Sequence, residues 1–156
     1  MLPQSGVIHK IRDTTHAFLD TGNTDDAAPR IRQYFEFKLE EVISRVGIPV
    51  PIGIAFNDDK QMAKNLIDAI KAAVDLHDAA GRLVLEPAQL AGLPTSVATI
   101  VSNYLSHWST GQAHAFTAPS LKGVMQAIEN FAGCFQFEHP AGSGQHRYYK
   151  SLSQKL

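Results

Sequence analysis

Residues 29–47 read Pro-Arg-Ile-Arg-Gln-Tyr-Phe-Glu-Phe-Lys-Leu-Glu-Glu-Val-Ile-Ser-Arg-Val-Gly. Within this stretch Ile31, Phe35, Leu39, Val42, Ile43 and Val46 recur at i, i+4, i+8, i+11, i+12 and i+15. That spacing predicts one amphipathic helix of about five turns at 3.6 residues each. Pro29 suits a first turn, where its missing N–H is no loss, and Gly47 suits the end. A helix with a single apolar stripe must bury it against another element.

The flanking sequence supplies further helices. Val7, Ile8, Ile11, Phe18 and Leu19 predict a helix within residues 1–20, weakened in the middle by Thr14 and Thr15 and ended by Gly22-Asn23. The segment Thr21 to Asp26 reads as a turn, with its acids at the start of the next helix. The apolar run from Ile48 to Phe56 holds Pro49 and Pro51, so it reads as an extended, buried crossover. Asn57-Asp58-Asp59 caps a third helix, whose stripe runs through Met62, Leu66, Ile67, Ile70, Val74 and Leu76-His77 until Gly81 stops it. Leu83-Val84-Leu85 reads as extended, and Glu86 to Ala91 as one helical turn.

Pro94 then opens a helix with Val97, Ile100, Val101, Tyr104, Leu105 and Trp108 at helical spacing. Thr117 or Ser120 caps the last long helix, with Leu121, Val124, Met125, Ile128, Phe131, Ala132 and Phe135 inward. The tail carries Phe135-Gln136-Phe137-Glu138 and Gln145-His146-Arg147-Tyr148-Tyr149 around Pro140-Ala141-Gly142-Ser143-Gly144, two short strands about a turn. The predicted fold is an all-α bundle of four to five helices over 1–134, with a short β-hairpin-like tail over 135–156, forming a single domain.

Composition narrows the function classes. Hydrophobic residues are 44% and charged residues 19% of the 156, as in an ordinary folded domain rather than a disordered chain. With 14 Lys and Arg against 15 Asp and Glu, the formal charge is −1, so any nucleic-acid contact has to come from a local patch. A lone cysteine, Cys134, excludes an internal disulfide and a multi-cysteine zinc site; its apolar setting reads as a buried small hydrophobe. No stretch reaches the length of a membrane span, and the first residues lack the apolar core of a signal peptide, so a cytoplasmic location is expected. His9 and His16 are seven apart, too far for a tight two-ligand site, and no metal or cofactor is expected.

Two polar pairs sit at the margins of apolar stripes. Asn103 and His107 are four apart beside Tyr104; Arg32 and Glu36 are four apart beside Phe35 and Leu39. Facing one another across a cleft, they suit cleavage of RNA without a metal. The 2′-hydroxyl is the nucleophile, a carboxylate and an imidazole exchange the protons, and a guanidinium holds the phosphate. Taken apart, Arg32–Glu36 is an ordinary i,i+4 ion pair, and His107 a cation near a helix C-terminus. His114, in a loop behind the helix, and Arg147 and Lys150, in the tail cluster of bases and aromatics, are candidate substrate-binding residues.

Ser102-Asn103-Tyr104-Leu105-Ser106-His107 resembles the R-N-x-x-x-H signature of the HEPN superfamily, with Ser102 where the signature has arginine. Arg32-Gln33-Tyr34-Phe35-Glu36 with the later His107 is similar to the arginine, glutamate and histidine set of the related anticodon nucleases. From about Pro29 onward the chain also resembles the C-terminal region of SMC-like or RecF-like ATPases of bacterial defence loci. The resemblance implies a HEPN-like helical bundle, an effector or RNA-sensing domain of an anti-phage defence system, and RNA, including tRNA, as substrate. It implies Arg32, Glu36, Asn103 and His107 as the catalytic set. It also implies a homodimer and an ATPase partner, since no P-loop occurs in these residues. The alternative it leaves open is a non-catalytic dimerisation or interaction module docking onto that ATPase.

Overall fold

A computed structural model describes residues 5–50, 60–105 and 116–156. Among them are five α-helices: α1 (Ser5–Asp20), α2 (Thr24–Val46), α3 (Lys60–Ala79), α4 (Pro87–Ile100) and α5 (Ala118–Gly133). A π-helical turn, Val101–Leu105, continues α4 directly. Two antiparallel strands, β1 (Gln136–Glu138) and β2 (His146–Tyr148), follow α5, with Phe137 opposite Arg147. The fold is all-α with a short β tail, as the periodicities predict.

α2 is the organising element. Ala27, Ala28, Ile31, Tyr34, Phe35, Leu39, Val42 and Val46 are all buried along it. α1 and α5 pack against this stripe, α4 packs on α5, and α3 lies on α2. The core carries Phe131, Phe135, Leu121, Ile100 and Leu19 against Tyr34 and Phe35. Thr15, expected to weaken α1, is buried there because its hydroxyl donates to the Ile11 carbonyl at 2.7 Å, inside its own helix. Cys134 is buried as expected, and burial pushes its thiol pKa up.

Both prolines read as helix openers lie inside helices. α2 starts five residues before Pro29, because Asn23 caps it through the Asp26 N–H at 3.2 Å and Asp25 and Asp26 occupy its first turn. α4 starts seven residues before Pro94, where Glu86 and Gln89 form a capping box around Pro87. Pro29 and Pro94 are both exposed, so the donor each lacks leaves a carbonyl that water can reach. Leu76 also departs from expectation: it is 69% exposed, and Ala73 takes its place among the buried residues of α3. Thr117 caps α5 in a box with Ser120.

The tail is fastened to the bundle at three points. The Val84 N–H donates to the Leu152 carbonyl at 2.6 Å, which makes the extended Leu83–Leu85 segment a partner of the tail. The Tyr149 hydroxyl donates to Gln89 at 2.8 Å, and the Tyr148 hydroxyl to Glu41 at 3.0 Å. Phe137 stacks on Tyr149 with centroids 5.1 Å apart. The expected Asn57-Asp58-Asp59 cap and the crossover beyond Val50 lie outside the described residues, as do Trp108, His107 and His114.

Candidate functional site

α2 carries two polar rows, one on each flank of its buried stripe. At 3.6 residues per turn, Arg32 and Glu36 form one row, beginning a turn beyond the buried Ala28, and Lys38, Glu41 and Arg45 form another roughly half a turn away. Each row meets a different part of the molecule.

On the first row, Arg32 Nε donates to Glu36 Oε1 at 3.4 Å, with side chains 26% and 16% exposed. This is the half-buried margin that the sequence spacing predicts. The π turn reaches the same row. The Tyr104 hydroxyl is buried and donates to the Ala28 carbonyl at 2.7 Å, one helical turn before Arg32. Burial raises the Tyr104 pKa above the usual phenol range; the Arg32 charge opposes that shift and the Glu36 charge adds to it, so all three groups share one electrostatic neighbourhood. The segment bearing Asn103 is therefore docked beside Arg32 and Glu36.

Asn103 itself is exposed rather than half-buried, and its side-chain oxygen accepts from the Ser102 hydroxyl at 3.4 Å. The buried line of this segment runs through Leu93, Ser96, Ile100 and Tyr104, three or four apart, and Asn103 lies off it. Val101, also expected in the buried stripe, is 43% exposed. It lines an apolar groove of about 520 Å³ between α3 and α4, floored by Phe131.

The second row faces a polar groove of about 1050 Å³ between α1, α2 and the tail. Arg147 and Lys150, the candidate substrate-binding residues of the tail, both line it. The structure thus separates them from Arg32 and Glu36, which lie on the other flank of α2. Four more cations line the groove and escaped sequence reasoning: Arg12 of α1, Lys38 and Arg45 of α2, and Lys155. Their signal was present in the wheel of α2, where Lys38 and Arg45 share a flank, but only the folded tail shows which cations that flank meets. Among the described residues Glu41 is the one acidic side chain lining the groove; it accepts from Lys38 Nζ at 3.2 Å and from Tyr148. Burial first, and the Glu41 charge second, raise the Tyr148 pKa, so this phenol is a donor and not an anion. Tyr149 is buried, and Tyr148 is tied to Glu41.

Among the described residues no group of three His, Cys, Asp or Glu side chains converges as a metal site. Nor is any helix among them long and apolar enough to cross a membrane. Comparison with family models, with curated proteins and with solved structures gives no match.

Proposed function

We propose that this chain is a HEPN-like RNA-cleaving effector domain of a defence system, with its reacting centre on the Arg32–Glu36 flank of α2. The observation that supports it is the bond from the Tyr104 hydroxyl to the Ala28 carbonyl, which docks the Asn103 segment beside the Arg32–Glu36 turn. In this centre Glu36 accepts the proton of a ribose 2′-hydroxyl as its oxygen attacks the adjacent phosphorus. The phosphorus–5′-oxygen bond breaks, and His107 gives a proton to the leaving oxygen. Arg32 compensates the charge that builds on the phosphoryl oxygens, and Asn103 orients the substrate. The products are a 2′,3′-cyclic phosphate and a free 5′-hydroxyl, so no external nucleophile is required. Two copies facing one another, and an ATPase partner, complete the system.

The present Arg32–Glu36 bond has to open for Arg32 to take a phosphate. At 3.4 Å the contact is long for an ion pair, with the two side chains 26% and 16% exposed. The test is cleavage of RNA, tRNA included, in the presence of a chelator by wild type, Arg32→Ala and His107→Ala. Cleavage by wild type with loss in both variants is the expected result. Equal activity in all three overturns the site, and no cleavage by any of them leaves the non-catalytic docking module as the better reading.

A further inference from the structure

The groove between α1, α2 and the tail has a charge balance unlike that of the chain. Six of the 14 Lys and Arg residues line it (Arg12, Lys38, Arg45, Arg147, Lys150 and Lys155), together with one of the 15 acids. A protein of net charge −1 has thus gathered nearly half of its cations around one concavity. Chance placement on a mixed surface would bring about as many acids as bases.

Those cations come from separate elements. His9 and Arg12 are three apart on α1 and so share a face, Lys38 and Arg45 share a face of α2, and Arg147 stands on β2. Holding them together costs repulsion, which the fold meets with fixed bonds to Glu41 from Lys38 and Tyr148 at 3.2 and 3.0 Å. Lys38 is therefore partly neutralised and Arg12 is bonded to Asp13 at 3.3 Å. Arg45, Arg147 and Lys150 are exposed and form no ion pair among the described residues. The volume, about 1050 Å³, is at the upper end of pockets for small ligands, so it has room for more than one anionic group.

We propose that this groove is a binding site for a run of adjacent phosphates, as presented by a nucleic-acid strand or an inorganic polyphosphate. Guanidinium groups of Arg45 and Arg147 take phosphate oxygens in pairs, and Lys150 and Lys155 add point charges. Contacts to phosphates carry no sequence information, so binding through these cations is independent of sequence. The site stands on its own, whether or not the opposite flank of α2 cleaves RNA.

The test uses a 2′-O-methyl RNA strand of mixed sequence, which cannot be cleaved through its 2′-oxygen, and inorganic tripolyphosphate as competitor. Affinity is measured over a salt series for wild type, Arg147→Glu, Lys150→Glu and Glu41→Gln. Arg147 and Lys150 are exposed, so their variants keep the fold, which circular dichroism checks. Each charge reversal is expected to weaken strand binding at least about tenfold at low salt and to flatten the salt dependence by about one phosphate contact. Glu41→Gln, which removes the one acid, is expected to tighten it. Displacement of the strand by tripolyphosphate supports one shared site. Tripolyphosphate binding without strand binding supports the groove with a small anion as its source. Affinities unchanged by either reversal, or no binding of either probe, overturn the inference.

Discussion

The two flanks of α2 treat charge in opposite ways. On one, Arg32 and Glu36 answer each other at 3.4 Å and lie half-buried beside the docked π turn. On the other, cations from α1, α2 and the tail gather around one acidic side chain. A balanced pair has little long-range field, so it suits a centre that acts on a group already in place. An unbalanced cluster has a field that draws anions in from solution. One helix can serve both because its buried stripe keeps the flanks about half a turn apart.

That separation can be broken at its middle. Phe35 is fully buried in the stripe between the flanks. Phe35→Ala is expected to lower unfolding free energy by about 3–5 kcal/mol, and to loosen both flanks together, in denaturant titrations. A variant that lost stability while disturbing only one flank would show that the stripe does not couple them.

Alkaline pH is the next largest lever, because each flank holds a phenol that is at least partly buried. Tyr104 on one and Tyr148 on the other have pKa values raised by burial, as does Tyr34, which donates to Glu129 at 3.4 Å. A group whose folded pKa lies above its unfolded value stabilises fully below the unfolded pKa, here near 10, and loses that contribution as pH rises towards the folded value. Stability is therefore expected to be level below about pH 9 and to fall by about 1.4 kcal/mol per phenol by about pH 11. Tyrosinate absorbance from these three side chains should appear with unfolding and not before it.

Single hydroxyl deletions separate the flanks. Tyr104→Phe and Tyr148→Phe each remove one hydrogen bond, to the Ala28 carbonyl and to Glu41 respectively, for an expected loss of about 0.5–1.5 kcal/mol. Hydrogen exchange should rise around α4 and the π turn in the first, and around the hairpin in the second. The smallest effect belongs to the ion pair itself. A double-mutant cycle on Arg32→Ala and Glu36→Ala is expected to give a coupling of no more than about 0.5 kcal/mol.

The helices were legible in the sequence wherever apolar residues repeat at 3.6: the stripes of α2 and α5 are buried almost residue for residue. Two helix starts were not, because proline at an apparent N-terminus competes with capping residues upstream. Asn23 and Glu86 capture the start, while Pro29 and Pro94 survive on exposed faces. Asn103 and Val101 ended exposed because the buried line runs through the polar Ser96 as well as Ile100 and Tyr104, and an apolar count alone does not find Ser96. For the candidate residues, the i,i+4 spacing of Arg32 and Glu36 was enough to pair them. The basic groove was only half visible, through Arg147 and Lys150. Its other cations lie far away in the chain, and the folded tail, tied to α2 by the bond from Tyr148 to Glu41, brings them together.

Arg32→Ala offers the most direct measurement, read two ways: cleavage of a ribose strand in chelator, and binding of its 2′-O-methyl counterpart. The predicted result is a fall in cleavage of about 100-fold or more with strand binding within about twofold of wild type. Cleavage and binding falling together, or cleavage unchanged, would contradict the division of α2 into a reacting flank and a phosphate-holding flank.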